Sequence, residues 1–289
     1  MSFALFTDGC SNLPGKLLRE LNIRVLPCTY TVEGESVTYS GDIEQFDSKE
    51  FYDKLRSGLQ IKTSLLNAQL FMDHFRPALE QGLDVVYVGL SSGVSGTFQA
   101  SCMAAEELME EFPGRTVRTV DSRGAGLGVG ILTCLGADLR NQGLDANAAA
   151  DELNKATDRL CQYFTVDDLN FLKRTGRVSG ATAAIGTVLN IKPILYGDEE
   201  GRIVARTKVR GRKRAIEAIL DLYAKKVVDA GSQRVAISHG DCLEEAQLLA
   251  DRVCQIAKPK ELIICPHEPF TGIHVGPGML ALFFFGDCR

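Results

Sequence analysis

The chain has 289 residues, with 37 acidic and 32 basic side chains, a formal net charge of −5 and 45% hydrophobic residues. The length fits one large α/β unit or two domains of ordinary size, and the acidic balance argues against a general nucleic-acid binder. No apolar run approaches the length needed to span a bilayer, and the start lacks a charged-then-apolar leader, so the expected location is cytoplasmic.

Along the chain, strand and helix patterns alternate. Residues 3–6 read as a strand, 13–21 as a helix and 24–32 as a second strand. Residues 48–58 and 68–81 read as helices, the first closed by Gly58. The stretch 84–90 (DVVYVGL) is short, β-branched and almost uncharged, as a buried parallel strand requires. It runs into Ser91-Ser92-Gly93-Val94-Ser95-Gly96-Thr97, and 98–111 follows as a helix with apolar positions three and four apart. Residues 116–120 form the next strand, 124–141 a long apolar helix, 145–160 a helix capped by Asp145, and 161–166 a strand. This much is doubly wound α/β.

The pattern then changes. Residues 169–172 and 179–188 read as helix, and 193–196 and 202–208 as two strands joined by the acidic turn Asp198-Glu199-Glu200-Gly201. A helix over 212–225, a strand over 234–238, a helix over 243–256, and strands over 261–265 and 279–285 complete the chain. An antiparallel hairpin in an α/β context predicts a C-terminal α/β domain with a mixed sheet (161–289) packed on an N-terminal parallel-sheet domain (1–160).

The nine cysteines (10, 28, 102, 134, 161, 242, 254, 265, 288) are odd in number and contain no Cys-x-x-Cys. They read as small buried hydrophobes, and no metal or cofactor is expected. The glycines at 124, 126, 128 and 130 lack dinucleotide-binding spacing and read as close helix packing. Three segments carry chemistry: Lys62-Thr63-Ser64 before a helix, where a hydroxyl could also serve as an N-cap; the 91–97 loop with four hydroxyls; and Gly272–Gly278, a glycine-flanked turn bearing His274. Hydroxyls, helix-start N–H groups and one imidazole suit a carboxylate or phosphate without a metal. A serine esterase or thioesterase using Ser95 and His274, with Asp121 as third member, is the competing reading, although Gly-x-Ser-x-Gly is incomplete.

Ordered motifs along nearly the whole chain resemble the DegV family of bacterial fatty-acid-binding proteins. They are Thr7-Asp8-Gly9-Cys10-Ser11-Asn12-Leu13-Pro14, Lys62-Thr63-Ser64, LSSGVSGTFQ (90–99), Val120-Asp121-Ser122, LNFLKRTGRVS (169–179), LNIKPIL (189–195), Lys208-Val209-Arg210-Gly211 and HVGPG (274–278). The resemblance implies a two-domain α/β fold and a non-catalytic carrier with a long-chain fatty acid (palmitate, stearate or oleate class) buried as ligand. It implies a carboxylate held by Thr63, Ser95 and His274, with Ser64, Ser92, Arg177 and Arg210 as secondary candidates. It also implies a separate fatty acid kinase as partner, acyl phosphate for phospholipid synthesis, and transient membrane contact. The two arginines steer the carboxylate, dock the kinase or form surface ion pairs. Apolar stretches 183–185, 188–189 and 283–285 are candidates to line the acyl tunnel.

Overall fold

The computed structural model describes residues 3–178 and 190–289. The helix expected over 179–188 and the tunnel stretches 183–185 and 188–189 lie outside the described residues. The first sheet has order β2-β1-β6-β7 and is wholly parallel: β1 (Phe3–Asp8), β2 (Ile23–Leu26), β6 (Asp84–Gly89) and β7 (Val117–Asp121). Every residue of β1 and β6 is buried, as an apolar run without alternation requires of a parallel strand covered on both faces. Helices α1 (Gly15–Glu20), α3 (Ala68–Glu80), α4 (Thr97–Glu111) and α6 (Ala146–Thr157) accompany it. Asp145 caps α6 as expected, accepting from the Ala148 N–H.

The second sheet has order β10-β9-β8-β13-β11-β12, spanning β8 (Leu160–Thr165), β9 (Ile191–Gly197), β10 (Ile203–Arg210), β11 (Arg234–His239), β12 (Glu261–Pro266) and β13 (Leu280–Phe285). Only β11 and β12 pair in parallel, so the sheet is mixed. Its outer face carries α8 (Arg212–Lys226) and α9 (Leu243–Ile256). Its inner face, with Ala281 and Phe283, shares one core with Leu5, Val86 and Val88 of the first sheet.

Helix α5 (Leu127–Asn141) lies between the two sheets and touches β1, β6, β8, β11 and β13. That position explains a sequence that is apolar all round. It also explains the alternate glycines. A Cβ at Gly128 would lie 2.5 Å from the Gln162 Oε1 on one side, and one at Gly130 would lie 2.5 Å from the Ser11 carbonyl oxygen on the other. The helix begins later than expected, at Leu127, because Gly126 takes a φ of 56°.

A third, antiparallel sheet of order β4-β3-β5 was not anticipated: β3 (Cys28–Val32), β4 (Glu35–Tyr39) and β5 (Ile61–Thr63). The single strand expected over 24–32 breaks at Pro27, so β2 joins the parallel sheet and β3 this one. Helix α2 (Ser48–Arg56), capped by Asp47, packs beside it. No helix among the described residues is long and apolar enough to cross a membrane.

Candidate functional site

Between the two larger sheets lies a cavity of about 330 Å³. Leu90, Val94, Phe164, Leu172, Phe270 and Phe283 give it an apolar wall. Polar groups meet at the end marked by Leu65, which is 55% exposed and forms part of the rim. There β5 delivers Thr63, the loop before α4 delivers Ser95, and helix α10 (Pro269–Val275) delivers His274.

Two local expectations change. Lys62-Thr63-Ser64 does not precede a helix directly; Thr63 ends β5, and Asn67 caps α3 by accepting from the Leu70 N–H. The capping alternative for Thr63 and Ser64 therefore falls. The segment around His274 is helical rather than a turn, since Pro269 opens α10 and Gly276, with a φ of 76°, closes it.

The Thr63 hydroxyl lies 3.5 Å from the His274 Nε2, while the buried Nδ1 has no partner among the described residues. Burial, followed by the cations Arg177 and Arg174, pushes the His274 pKa down to about 4. The ring is neutral at pH 7 and offers one N–H donor. The Ser95 hydroxyl donates to the Thr97 hydroxyl at 3.1 Å and accepts from the Thr97 N–H at 3.3 Å. It thereby shapes the start of α4, where Gly96 supplies no side-chain cap.

Ser91 holds the loop in place. Its buried hydroxyl donates to the Gly201 carbonyl at 2.9 Å and accepts from the Gly93 N–H at 3.0 Å. This bridges the loop to the β9–β10 turn. A Cβ at Gly93 would lie 2.4 Å from the Glu200 carbonyl oxygen, so only glycine permits the approach. Arg289 secures the same turn by donating to the carbonyls of Gly197 and Asp198.

Of the expected residues, Thr63, Ser95, Arg177 and His274 line the cavity. Ser64 and Ser92 are exposed and do not; their backbone N–H groups bond the Thr29 carbonyl and the Asp121 carboxylate. Arg210 is exposed at the far end of β10, paired with Ile191, whereas the cavity touches the opposite end at Ile203 and Gly197. Steering a carboxylate inside the cavity is thus beyond its reach.

The hydrolase arrangement is not formed. Asp121 accepts from the Ser92 and Arg123 N–H groups rather than from an imidazole, and Ser95 bonds Thr97 rather than His274. Among the described residues no base is hydrogen-bonded to the Ser95 hydroxyl.

Four polar lining residues escaped the sequence reading as site residues: Arg123, Gln162, His267 and Thr271. Buried His267 sits between the Ser238 hydroxyl (3.0 Å from Nδ1) and the Thr271 hydroxyl (2.8 Å from Nε2). Thr271 in turn bonds the wholly buried Glu268, which also caps α10 through the Phe270 and Thr271 N–H groups. With Glu268 ionised, Thr271 donates to it and His267 carries its proton on Nε2. With Glu268 protonated, the same chain runs in reverse. Burial pushes His267 down to about 3 and Glu268 up to about 7.

Beside this chain, Asp8, Cys10 and Cys28 bring their ligand-type atoms within 4.8 Å of one another in the core. Asp8 accepts from the Cys10 N–H, the Tyr87 hydroxyl and the Leu90 N–H. Burial raises its pKa and that of Cys10. These three hydrogen bonds satisfy the Asp8 carboxyl.

The family model for uncharacterised proteins of the DegV family matches residues 2–287. The chain belongs to the DegV family. It is similar to a DegV domain-containing protein of Clostridium perfringens, with 35% identity over 287 residues, 99% of this chain and 98% of that protein. Among solved structures it is similar to a fatty-acid-binding DegV family protein from Thermus thermophilus, with a TM-score of 0.86 and 32% identity, covering 99% of this chain and 100% of that one. It is also similar to DegV, a fatty acid binding protein from Bacillus subtilis, with a TM-score of 0.84 and 28% identity over 99% of this chain and 100% of that one. The α/β architecture, parallel in the first sheet and mixed in the second, is that of these DegV structures.

Proposed function

We propose that this protein binds a long-chain fatty acid in the cavity between its sheets, carboxylate towards Thr63, Ser95 and His274, and presents it to a separate kinase. One observation carries the reading. The cavity is largely apolar, includes Arg177 and the His274 imidazole among its lining groups, and has no aspartate or glutamate among the described residues that line it. Arg177 forms no ion pair with a described residue, so its charge is available to an anion. Arg123, by contrast, is paired with Asp158. The two fatty-acid-binding relatives support the ligand class.

Burial of an acyl tail supplies about 0.8 kcal/mol per CH₂, so the head group needs only to orient the molecule. Neutral hydroxyls and a neutral imidazole do this, and the half-buried Arg177 meets the charge without being fully desolvated. On this reading the protein is a cytoplasmic, non-catalytic carrier without a cofactor, in transient contact with membranes, and its bound acid becomes an acyl phosphate for phospholipid synthesis. Residues 1–160 and 161–289 act as its two halves.

Mass spectrometry of an organic extract from the purified, denatured protein tests this. A stoichiometric fatty acid is expected. The double variant Thr63→Val/Ser95→Ala should bind it 10-fold or more weakly, from about 1.5 kcal/mol per hydrogen bond to a charged group. An empty extract together with no uptake of added palmitate or oleate would overturn the reading.

A further inference from the structure

The third sheet carries a second concavity. Its register sets Tyr30 opposite Val37 and Val32 opposite both Glu35 and Ile61, so alternation places these apolar residues on one face. The deep part of that face is filled. Phe51 packs edge-on against Tyr30 and Phe46, with ring centres 6.1 and 5.2 Å apart, and Phe46 packs against Tyr39.

The outer part is not filled. Val37 is 36% exposed, Val32, Leu59 and Ile61 are half-buried, and a groove of about 810 Å³ remains above them. Glu33, Glu35, Asp42, Asp47 and Glu50 line it, against a single cation among the described residues, Lys54. Lys54 is committed to Glu50 at 2.5 Å, and Asp42 lies near Arg19 at 3.8 Å. Glu33, Glu35 and Asp47 have no ion pair among the described residues, and β4 is an edge strand of its sheet.

We infer that this groove docks a partner protein through a segment whose apolar side chains are flanked by lysine and arginine. Charge decides the occupant. An apolar floor inside an uncompensated acidic rim favours a cationic, partly apolar peptide and repels anionic lipid surfaces and nucleic acids. A second copy fits less well. The basic stretch at residues 206–214 would make a head-to-tail contact that need not close, and its Arg212 is already held by Glu245.

The location gives docking a consequence. Ile61 in the groove floor and Thr63 in the cavity wall are two residues apart on β5, and α2 packs on α10, which bears His274. A partner seated here lies one strand from the cavity, whatever the cavity holds.

Fluorescence anisotropy with a labelled Lys-Leu-Arg-Phe-Lys-Leu-Arg peptide tests the inference on the full chain. The peptide should bind, and an analogue with glutamate in place of each lysine and arginine should not. Glu33→Lys/Glu35→Lys should weaken binding at least 10-fold. Val37→Ser, which leaves the charge unchanged, should weaken it several-fold. Glu106→Lys/Glu107→Lys, on exposed positions of α4, should leave it unaltered. No binding by the folded protein, or equal weakening by the α4 variant, would overturn the inference. So would concentration-dependent self-association in sedimentation that Glu33→Lys/Glu35→Lys abolishes, because the groove would then hold a second copy.

Discussion

Two opposing influences act on Glu268. Its carboxyl caps α10, where backbone N–H groups favour the ionised form. It is also wholly buried, which favours the neutral form. The packing gives the decision to burial: the pKa rises from 4.5 to about 7, with desolvation as the largest cause and no cation among those opposing it. A raised folded-state pKa means that this group's contribution to stability is fully present below 4.5 and is lost as pH rises through about 7.

Replacing Glu268 with Gln removes that dependence and keeps one acceptor for the cap. The wild-type stability minus that of Glu268→Gln should therefore grow by about 3 kcal/mol between pH 7 and pH 4.5, at roughly 1.4 kcal/mol per pH unit. It should be flat below that window. His267 and His274 act in the opposite sense. Their folded values of about 3 and about 4, against 6.5, give stability that is present above 6.5 and lost as pH falls through the folded values. Their effect persists in both proteins and cancels in the difference. Between pH 6.5 and 4.5 the two histidines together lower stability by roughly 2.7 kcal/mol per pH unit as pH falls and Glu268 offsets about half of that, so both curves fall from near 6.5 but the wild type falls at about half the variant's rate in this window. Urea unfolding at half-unit pH intervals measures both curves. A difference that is flat, or that grows with rising pH, would show that the helix N-terminus holds the carboxylate charged and would refute the reasoning.

Three further substitutions probe the packing of α5 and the hold on the 91–97 loop. Gly130→Ala places a methyl 2.5 Å from the Ser11 carbonyl oxygen and 2.9 Å from Leu13, and should cost about 1–3 kcal/mol in urea unfolding. Gly231→Ala, which meets nothing within 4 Å, should change stability by less than about 0.5 kcal/mol; equal effects would mean that α5 is not tightly packed between the sheets. Ser91→Ala cuts the bridge from Gly93 to the Gly201 carbonyl. Hydrogen exchange at the Gly93 amide should accelerate about 10-fold or more, with loss of roughly 1–2 kcal/mol of local protection. Unchanged exchange would place the hold on this loop elsewhere.

The larger elements were legible because each obeys one period. The β-branched run at 84–90 and the apolar helix at 124–141 are unambiguous, and their burial makes their sequences monotonous. The third sheet was not legible. β5 is three residues long, and β4, largely exposed, carries little apolar alternation for a pattern to detect. That failure hid the reason Thr63 sits where it does: its position is fixed by pairing with Tyr30, more than thirty residues earlier in the chain. His274 drew notice through its glycines, yet it sits in a helix that contains Gly272 and ends at Gly276, and the turn comes after it at Pro277-Gly278. Gln162 and Thr271 left no signal, and His267 showed only that it lacks the spacing of a metal ligand. An isolated polar residue reads as surface until the chain folds, and what makes room for Gln162 and His267 is the missing side chains of distant glycines. A Cβ at Gly126 would lie 2.6 Å from the His267 ring, and one at Gly124 would lie 2.7 Å from the Gln162 carboxamide oxygen. The alternate glycines that failed as a dinucleotide motif are therefore what admits polar groups to this part of the cavity wall, a relation between residues more than thirty positions apart.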